Sequence, residues 1–432
     1  MYYYSTNNRD HLVDFREATI NGQPPDKGLY FPEWIPHHRN EFLLNIESYS
    51  KEAIAMQVMK PYVGEVIPLT ELEIIISQTI SFDFPLVRLT DRFYSLELFH
   101  GPTMAFKDVG ARFMSRCLRY FTKNETRKLL VLVATSGDTG GAVADGFYDV
   151  DGVEVVILYP SGKVSQVQEA QLTTYGKNIT AIEVDGSFDH CQQMVKTAFA
   201  DPELNKKLLL TSANSINVAR WLPQQIYYFL AYRQWENKDN PPVIAVPSGN
   251  FGNICAGLLA HRSGLPVSQF IAACNANNTV PEYFRTGSYV ARPSVATMSN
   301  AMDVGDPSNF KRVLELFDHE LPLLQEKLTA VSVSDQDTKQ TVKHLLRQYN
   351  YLPDPHGAVA FRALADYLEE KKHERGIFLE TAHPIKFYDR LEPVTGQEVP
   401  IPASISKILG KEKKSTRMKV SDSDLKDFLM SS

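Results

Sequence analysis

From about residue 125 the chain alternates short, continuous apolar runs with longer amphipathic stretches. Runs rich in β-branched residues stand at 129–135 (LLVLVAT), 153–159 (VEVVILY), 179–184 (ITAIEV), 243–247 (VIAVP), 269–274 (QFIAAC) and 376–381 (GIFLET). Between them the spacing is helical, as at 165–175, 217–235 and 335–349. Strands apolar on both faces and separated by helices predict parallel sheets covered on both sides. The first three runs cluster and the later ones form a second group, so the pattern predicts two parallel-sheet α/β domains. We place a smaller one over 96–210 and a larger one over 211–432. Residues 1–95, with proline turns such as FPEWIPHH at 31–38, read as a helical extension packing on the larger domain. The charged tail GKEKKSTRMKVSDSDLKDF, 410–428, reads as a solvated last helix.

Composition narrows the function classes. At 432 residues the chain is too long for one core, and 43% hydrophobic with 22% charged residues is ordinary for a globular protein. A net charge of −6 with no basic stripe argues against nucleic acid as a partner. Four scattered cysteines (Cys117, Cys191, Cys255, Cys274) have no ligand-like spacing and suit a reducing compartment. MYYYSTNNRD has no basic and apolar leader, and no apolar run is long enough to span a bilayer. The expectation is a cytoplasmic protein with no membrane partner.

Candidate chemistry sits at the strand ends. TSGDTGG (135–141) and PSGNFGNICAG (247–257) each follow a strand and precede a helix. Such loops present free N–H groups at the positive end of a helix and accept a carboxylate or a phosphate. Neither fits G-x-G-x-x-G or G-x-x-x-x-G-K-[ST], and there is no G-x-S-x-G or H-E-x-x-H. The pair His37–His38 reads as exposed surface rather than a metal site, and no metal is expected. LETAHPIKF (379–387) ends the last strand, where Thr381 offers a neutral hydroxyl. HGPTMAFKDVG (100–110) places Lys107 at an element start beside Phe106. A lysine held among apolar neighbours, two anion loops and a strand-end hydroxyl together suggest a pyridoxal 5'-phosphate site.

The segments LFHGPTMAFKDVGARF (98–113), ATSGDTGGAV (134–143), VPSGNFGNICAG (246–257), SNAMDVGDPSN (299–309) and ETAHPIKF (380–387) carry a resemblance to the threonine synthase family. That family belongs to the pyridoxal-phosphate enzymes with a fold like the tryptophan synthase β subunit (fold type II). The resemblance runs nearly end to end and points to the microbial and fungal branch. It implies that O-phospho-L-homoserine and water become L-threonine and phosphate by γ-elimination and β-addition. By position, Lys107 matches the Schiff-base lysine and proton shuttle. Gly249, Asn250, Phe251, Gly252 and Asn253 match the cofactor phosphate loop, and Thr381 matches the partner of the pyridine nitrogen. Ser136, Gly137, Asp138 and Thr139 match the substrate-carboxylate loop, with the role of Asp138 open. Lys163, Arg292 and Arg112 are cations available to the substrate phosphate, and His100 reads more simply as a packed imidazole. The rival readings are a serine/threonine dehydratase or β-replacing sulfhydrylase of the same fold, or a non-catalytic paralogue. Either a monomer or a homodimer is compatible with the sequence.

Overall fold

The apolar runs form the central strands of two sheets in a computed structural model that describes residues 1–123, 125 and 127–431. One sheet is wholly parallel, in the order Thr416–Lys419, Ile179–Asp185, Val153–Pro160, Leu129–Ala134, Leu209–Thr211. The other runs Leu328–Ser332, Gln269–Cys274, Val243–Pro247, Gly376–Glu380, Phe93–Glu97, Leu86–Arg88. Only its last pair is antiparallel. Every residue of Leu129–Ala134, Val243–Pro247, Gln269–Cys274 and Gly376–Glu380 is buried, as covering by helices on both faces requires. The architecture is therefore α/β, with two parallel-sheet layers and an N-terminal region.

That region holds the helices Lys51–Val63 and Leu69–Thr79, and ahead of them a three-stranded antiparallel sheet that the sequence pattern did not reveal. Its strands, Tyr2–Ser5, Asn8–Asp14 and Tyr30–Pro32, are 4, 7 and 3 residues long. Segments this short give no clear period. Arg312 locks the region to the six-stranded half. It is fully buried, lies 4.3 Å over the Trp221 ring, and donates to the carbonyl oxygens of Tyr30 at 2.9 Å and Ile216 at 2.6 Å.

Two expectations need correction. The tail does form a helix, Asp422–Ser431, yet it is not simply solvated. Leu425 and Leu429, one turn apart, are buried in a cluster with Cys191 and Met194. Nor is His38 an exposed residue: it is buried, with its ring centroid 5.1 Å from that of Phe229 and 5.4 Å from that of Phe42. Burial pushes its imidazole down to about 4, so it stays neutral among the aromatic rings. Among the described residues, no helix is long and apolar enough to cross a membrane.

Candidate active site

Lys107 opens the helix Lys107–Phe121, and the turn before it is pinned to the end of the last strand. Ala105 bridges to Ala382, Phe106 N donates to Thr381 O at 2.9 Å, and His383 N donates to Met104 O at 3.0 Å. These backbone contacts bring Lys107 and Thr381 together across a wide gap in sequence. Met104 takes a left-handed φ of 56°, which tightens the turn. Asp108 is buried and committed to Thr103. Its carboxylate accepts from Thr103 N at 2.9 Å and from Thr103 Oγ1, closing the loop on itself. Gly101 makes room for this, since a Cβ there would lie 2.4 Å from Asp108 Oδ2. Burial pushes the Asp108 carboxyl up to about 6, and the Thr103 hydrogen bonds oppose the rise. Lys107 remains partly exposed. Desolvation lowers its amine to about 8, with Asp138 pulling it up and Lys386 and Arg220 pushing it down.

The loop between Val243–Pro247 and the helix Gly252–Arg262 approaches its neighbours closely. A Cβ on Gly249 would stand 2.6 Å from Met302 Cα, so only glycine fits. Phe251 is left-handed (φ 61°) and buried, with its ring edge-on to Phe310. The Asn250 side chain accepts from Ser308 N at 2.7 Å and donates to Ser215 Oγ at 2.8 Å. Asn253 Nδ2 donates to Pro247 O at 2.8 Å. The Asn253 amide braces the loop internally, and the Asn250 amide ties it to the segments carrying Ser215 and Ser308. Among the described residues the N–H groups of Gly249, Asn250 and Phe251 meet no protein acceptor; together with the orphan N–H groups of Gly252 and Asn253 they form an anion cradle. Thr381 is buried, its N–H donates to Asp354 Oδ2 at 3.2 Å, and its hydroxyl has no protein partner among the described residues.

The loop before the helix Asp138–Phe147 is built differently. Thr135 Oγ1 accepts from Gly137 N at 3.0 Å and Gly140 N at 2.9 Å. Gly137 has φ 135°, and a Cβ there would stand 2.6 Å from the Gln168 amide. Ser136 and Thr139 stay partly exposed, with hydroxyls uncommitted among the described residues. Asp138 is buried and accepts at Oδ1 from Gln168 Nε2 at 3.0 Å and from Lys386 Nζ at 2.9 Å. Burial works to raise its carboxyl, yet the Lys386 and Lys107 ammoniums and the Gln168 hydrogen bond hold it well below the usual carboxylate range. Beside this pair lies a cavity of about 230 Å³ lined by Lys163, Ser165, Gln168, Asn300, Lys386 and Arg390, among others.

The remaining candidates lie elsewhere. Arg112 donates to Gln78 O at 2.8 Å and pairs with Asp145 at 3.6 Å. Arg292 donates to Asn278 Oδ1 at 3.0 Å, approaches Glu282 at 3.9 Å and is about half exposed. His100 meets Glu97 at 2.7 Å and packs on Phe99. Sequence reasoning missed three residues. Lys386 lies within the quoted HPIKF segment but carries no spacing signal. Gln168 is the fourth residue of the S-x-x-Q capping box begun by Ser165, a pattern that reads as helix start only. Asp354, in DPHG, caps the helix Pro355–Glu370 and also holds the N–H groups of Thr381 and Ala382.

A family model described as pyridoxal-phosphate dependent enzyme matches residues 85–379. Models described as the threonine synthase N terminus and the threonine synthase C-terminal region match 2–80 and 357–429. The chain is 43% identical over 428 residues to the threonine synthase of Serratia marcescens, covering 99% of this chain and 98% of the relative. To that of Escherichia coli K12 it is 42% identical over 407 residues, covering 93% of each. The crystal structure of the Escherichia coli enzyme superposes with a TM-score of 0.93 at 39% identity over 100% of both chains. The PLP-bound threonine synthase of Brucella melitensis also gives 0.93, at 32% identity over 99% of this chain and 98% of the other. The chain belongs to the threonine synthase family of pyridoxal-phosphate-dependent enzymes.

Proposed function

We propose that this chain converts O-phospho-L-homoserine and water to L-threonine and phosphate, with Lys107 as its catalytic residue. The observation that carries the reading is the backbone bridge at Ala105–Ala382, which sets the Lys107 helix against the Thr381 strand end. The residues there fit pyridoxal phosphate. An amine lowered to about 8 suits the aldehyde, and the uncommitted N–H groups from Gly249 to Asn253 suit the phosphate. The Thr381 hydroxyl suits the ring nitrogen, and a neutral partner there leaves the ring less protonated than a carboxylate would. When bound, the cofactor supplies an electron sink for carbanions next to the substrate amine.

The chain's own residues supply the rest. At pH 7 roughly a tenth of Lys107 amines with that pKa are neutral, against well under a thousandth for an ordinary lysine. The Lys107 Nζ takes and returns protons at the substrate carbons. Ser136, Gly137 and Thr139, at a helix N-terminus, suit the substrate carboxylate. Lys163, in the cavity beside Asp138, suits the γ-phosphate, with Arg292 as the weaker candidate because Asn278 and Glu282 already engage it.

The test is phosphate release from O-phosphohomoserine by purified protein, with threonine formed in equal amount. Deamination of serine or threonine without phosphate release would replace this reading with a dehydratase. Lys107→Ala should fold, lose the yellow absorbance of the bound cofactor and lose activity. A retained band would move the cofactor linkage to another lysine.

A further inference from the structure

One charged side chain at the centre of the site has no part in the reading above. Lys386 is wholly buried, which for a lysine demands a partner. Its Nζ contacts Asp138 Oδ1 at 2.9 Å and donates to Thr103 O at 2.9 Å. Ser165 Oγ, at the cavity wall, holds the Lys386 carbonyl at 2.9 Å. Thr103 O receives a second donor, Gln171 Nε2, at 3.0 Å. One ammonium thus ties three pieces together: the strand end carrying Thr381, the turn that delivers Lys107, and the glycine loop carrying Asp138.

The geometry points to Lys386 as a positioning residue: by taking up the charge of Asp138, it stops that carboxylate from pairing with Lys107 and so keeps the Lys107 amine reactive. The inference rests on Lys107 as the cofactor lysine. Among the described residues, the charged groups bearing on Lys107 are Asp138, Lys386 and Arg220, which stand on three different elements. Arg220 is buried, with Nε and Nη1 lacking hydrogen-bond partners, and the charge that opposes its desolvation is Asp108. Asp138 therefore has two ammoniums to choose between, and direct contact gives it to Lys386. Without Lys386, the cation left bearing on Asp138 among the described residues is Lys107. An opposite charge within reach favours the protonated amine by about one to three pH units.

The experiment measures the pH midpoint of Lys107 in the full chain freed of cofactor. Modification uses formaldehyde with cyanoborohydride, read at Lys107 by mass spectrometry, with circular dichroism to confirm folding. Lys386→Met should raise the midpoint by about one unit or more. Lys386→Arg, which keeps the charge, should leave it in place. Asp138→Asn should lower it, and the double variant should return near the starting value. If Lys386 served only to hold the loops together, its loss and that of Asp138 would both admit water and both raise the midpoint. That common direction, or no shift in either variant, overturns the inference. Should Lys386→Met not fold, the fall with Asp138→Asn and the constancy with Lys386→Arg decide the question. A yellow band surviving in Lys107→Ala would instead overturn the assignment of the cofactor lysine, a result separate from the midpoints.

Discussion

The two glycine loops share one grammar, strand then small residues then helix, but differ in what faces the ligand. The segment 247–253 carries no charged residue: its asparagine amides are spent on Ser215, Ser308 and Pro247, and the backbone presents the N–H groups. Around 135–141 a carboxylate occupies the first helical position and is matched by a buried ammonium. The first loop is a fixed anion cradle whose strength comes from the helix terminus. The second is an electrostatic setting in which two lysines and one aspartate divide two kinds of work. Similar loops thus suit a permanent phosphate in one case and a reacting amine in the other.

On that division the second loop incurs the larger penalty for losing its charge. Asp138→Asn leaves Lys386 buried without its counter-ion and should cost about 3 kcal/mol of stability. The pH dependence has a definite sign. The Asp138 carboxyl is held low in the folded chain, so its contribution is complete above the unfolded value of about 4. It is lost as pH falls through the folded value. Urea unfolding from pH 8 to pH 3 should show a constant gap between variant and parent down to about pH 4, then a narrowing one.

The cradle should break sterically instead. Gly249→Ala drives a Cβ against the Met302 backbone, an overpacking worth about 1–3 kcal/mol. Because the strain falls on the loop proposed to hold the cofactor phosphate, cofactor affinity by fluorescence titration should drop roughly 10- to 100-fold. Unaltered affinity would mean the phosphate lies elsewhere. Thr381→Val removes a single hydroxyl and should weaken binding by about 1 kcal/mol, near fivefold, leaving the melting temperature of the cofactor-free chain nearly unmoved.

How much of this was legible depended on whether a residue acts locally. The six apolar runs became strands because burial on both faces writes itself into consecutive residues. Lys107 and Thr381 were legible because each stands at an element boundary, and the loops because glycine marks close approach, as at Gly249 against Met302. Lys386 was not, since its meaning lies in a contact with Asp138, 248 positions away in the chain, and a lone lysine near a C-terminal proline turn looks like a surface charge. The helical tail misled for a related reason: Leu425 and Leu429 are its only buried residues among many charges.

The smallest effect discriminates between the substrate cations. Lys163 borders the cavity next to the Asp138–Lys386 pair, whereas Arg292 is engaged by Asn278 and Glu282 and is about half exposed. Exposed ion pairs contribute about 0–1 kcal/mol, so Arg292→Ala should alter stability by less than about 0.5 kcal/mol. Its KM for O-phosphohomoserine should change less than about twofold, within that same energy. Lys163→Ala should raise KM by roughly tenfold, the loss of one charge-assisted contact to phosphate. Steady-state kinetics on the two variants settles the order. A larger KM effect at Arg292 than at Lys163 would shift the phosphate away from the charged glycine loop, and with it the idea that this loop serves the reacting end of the substrate.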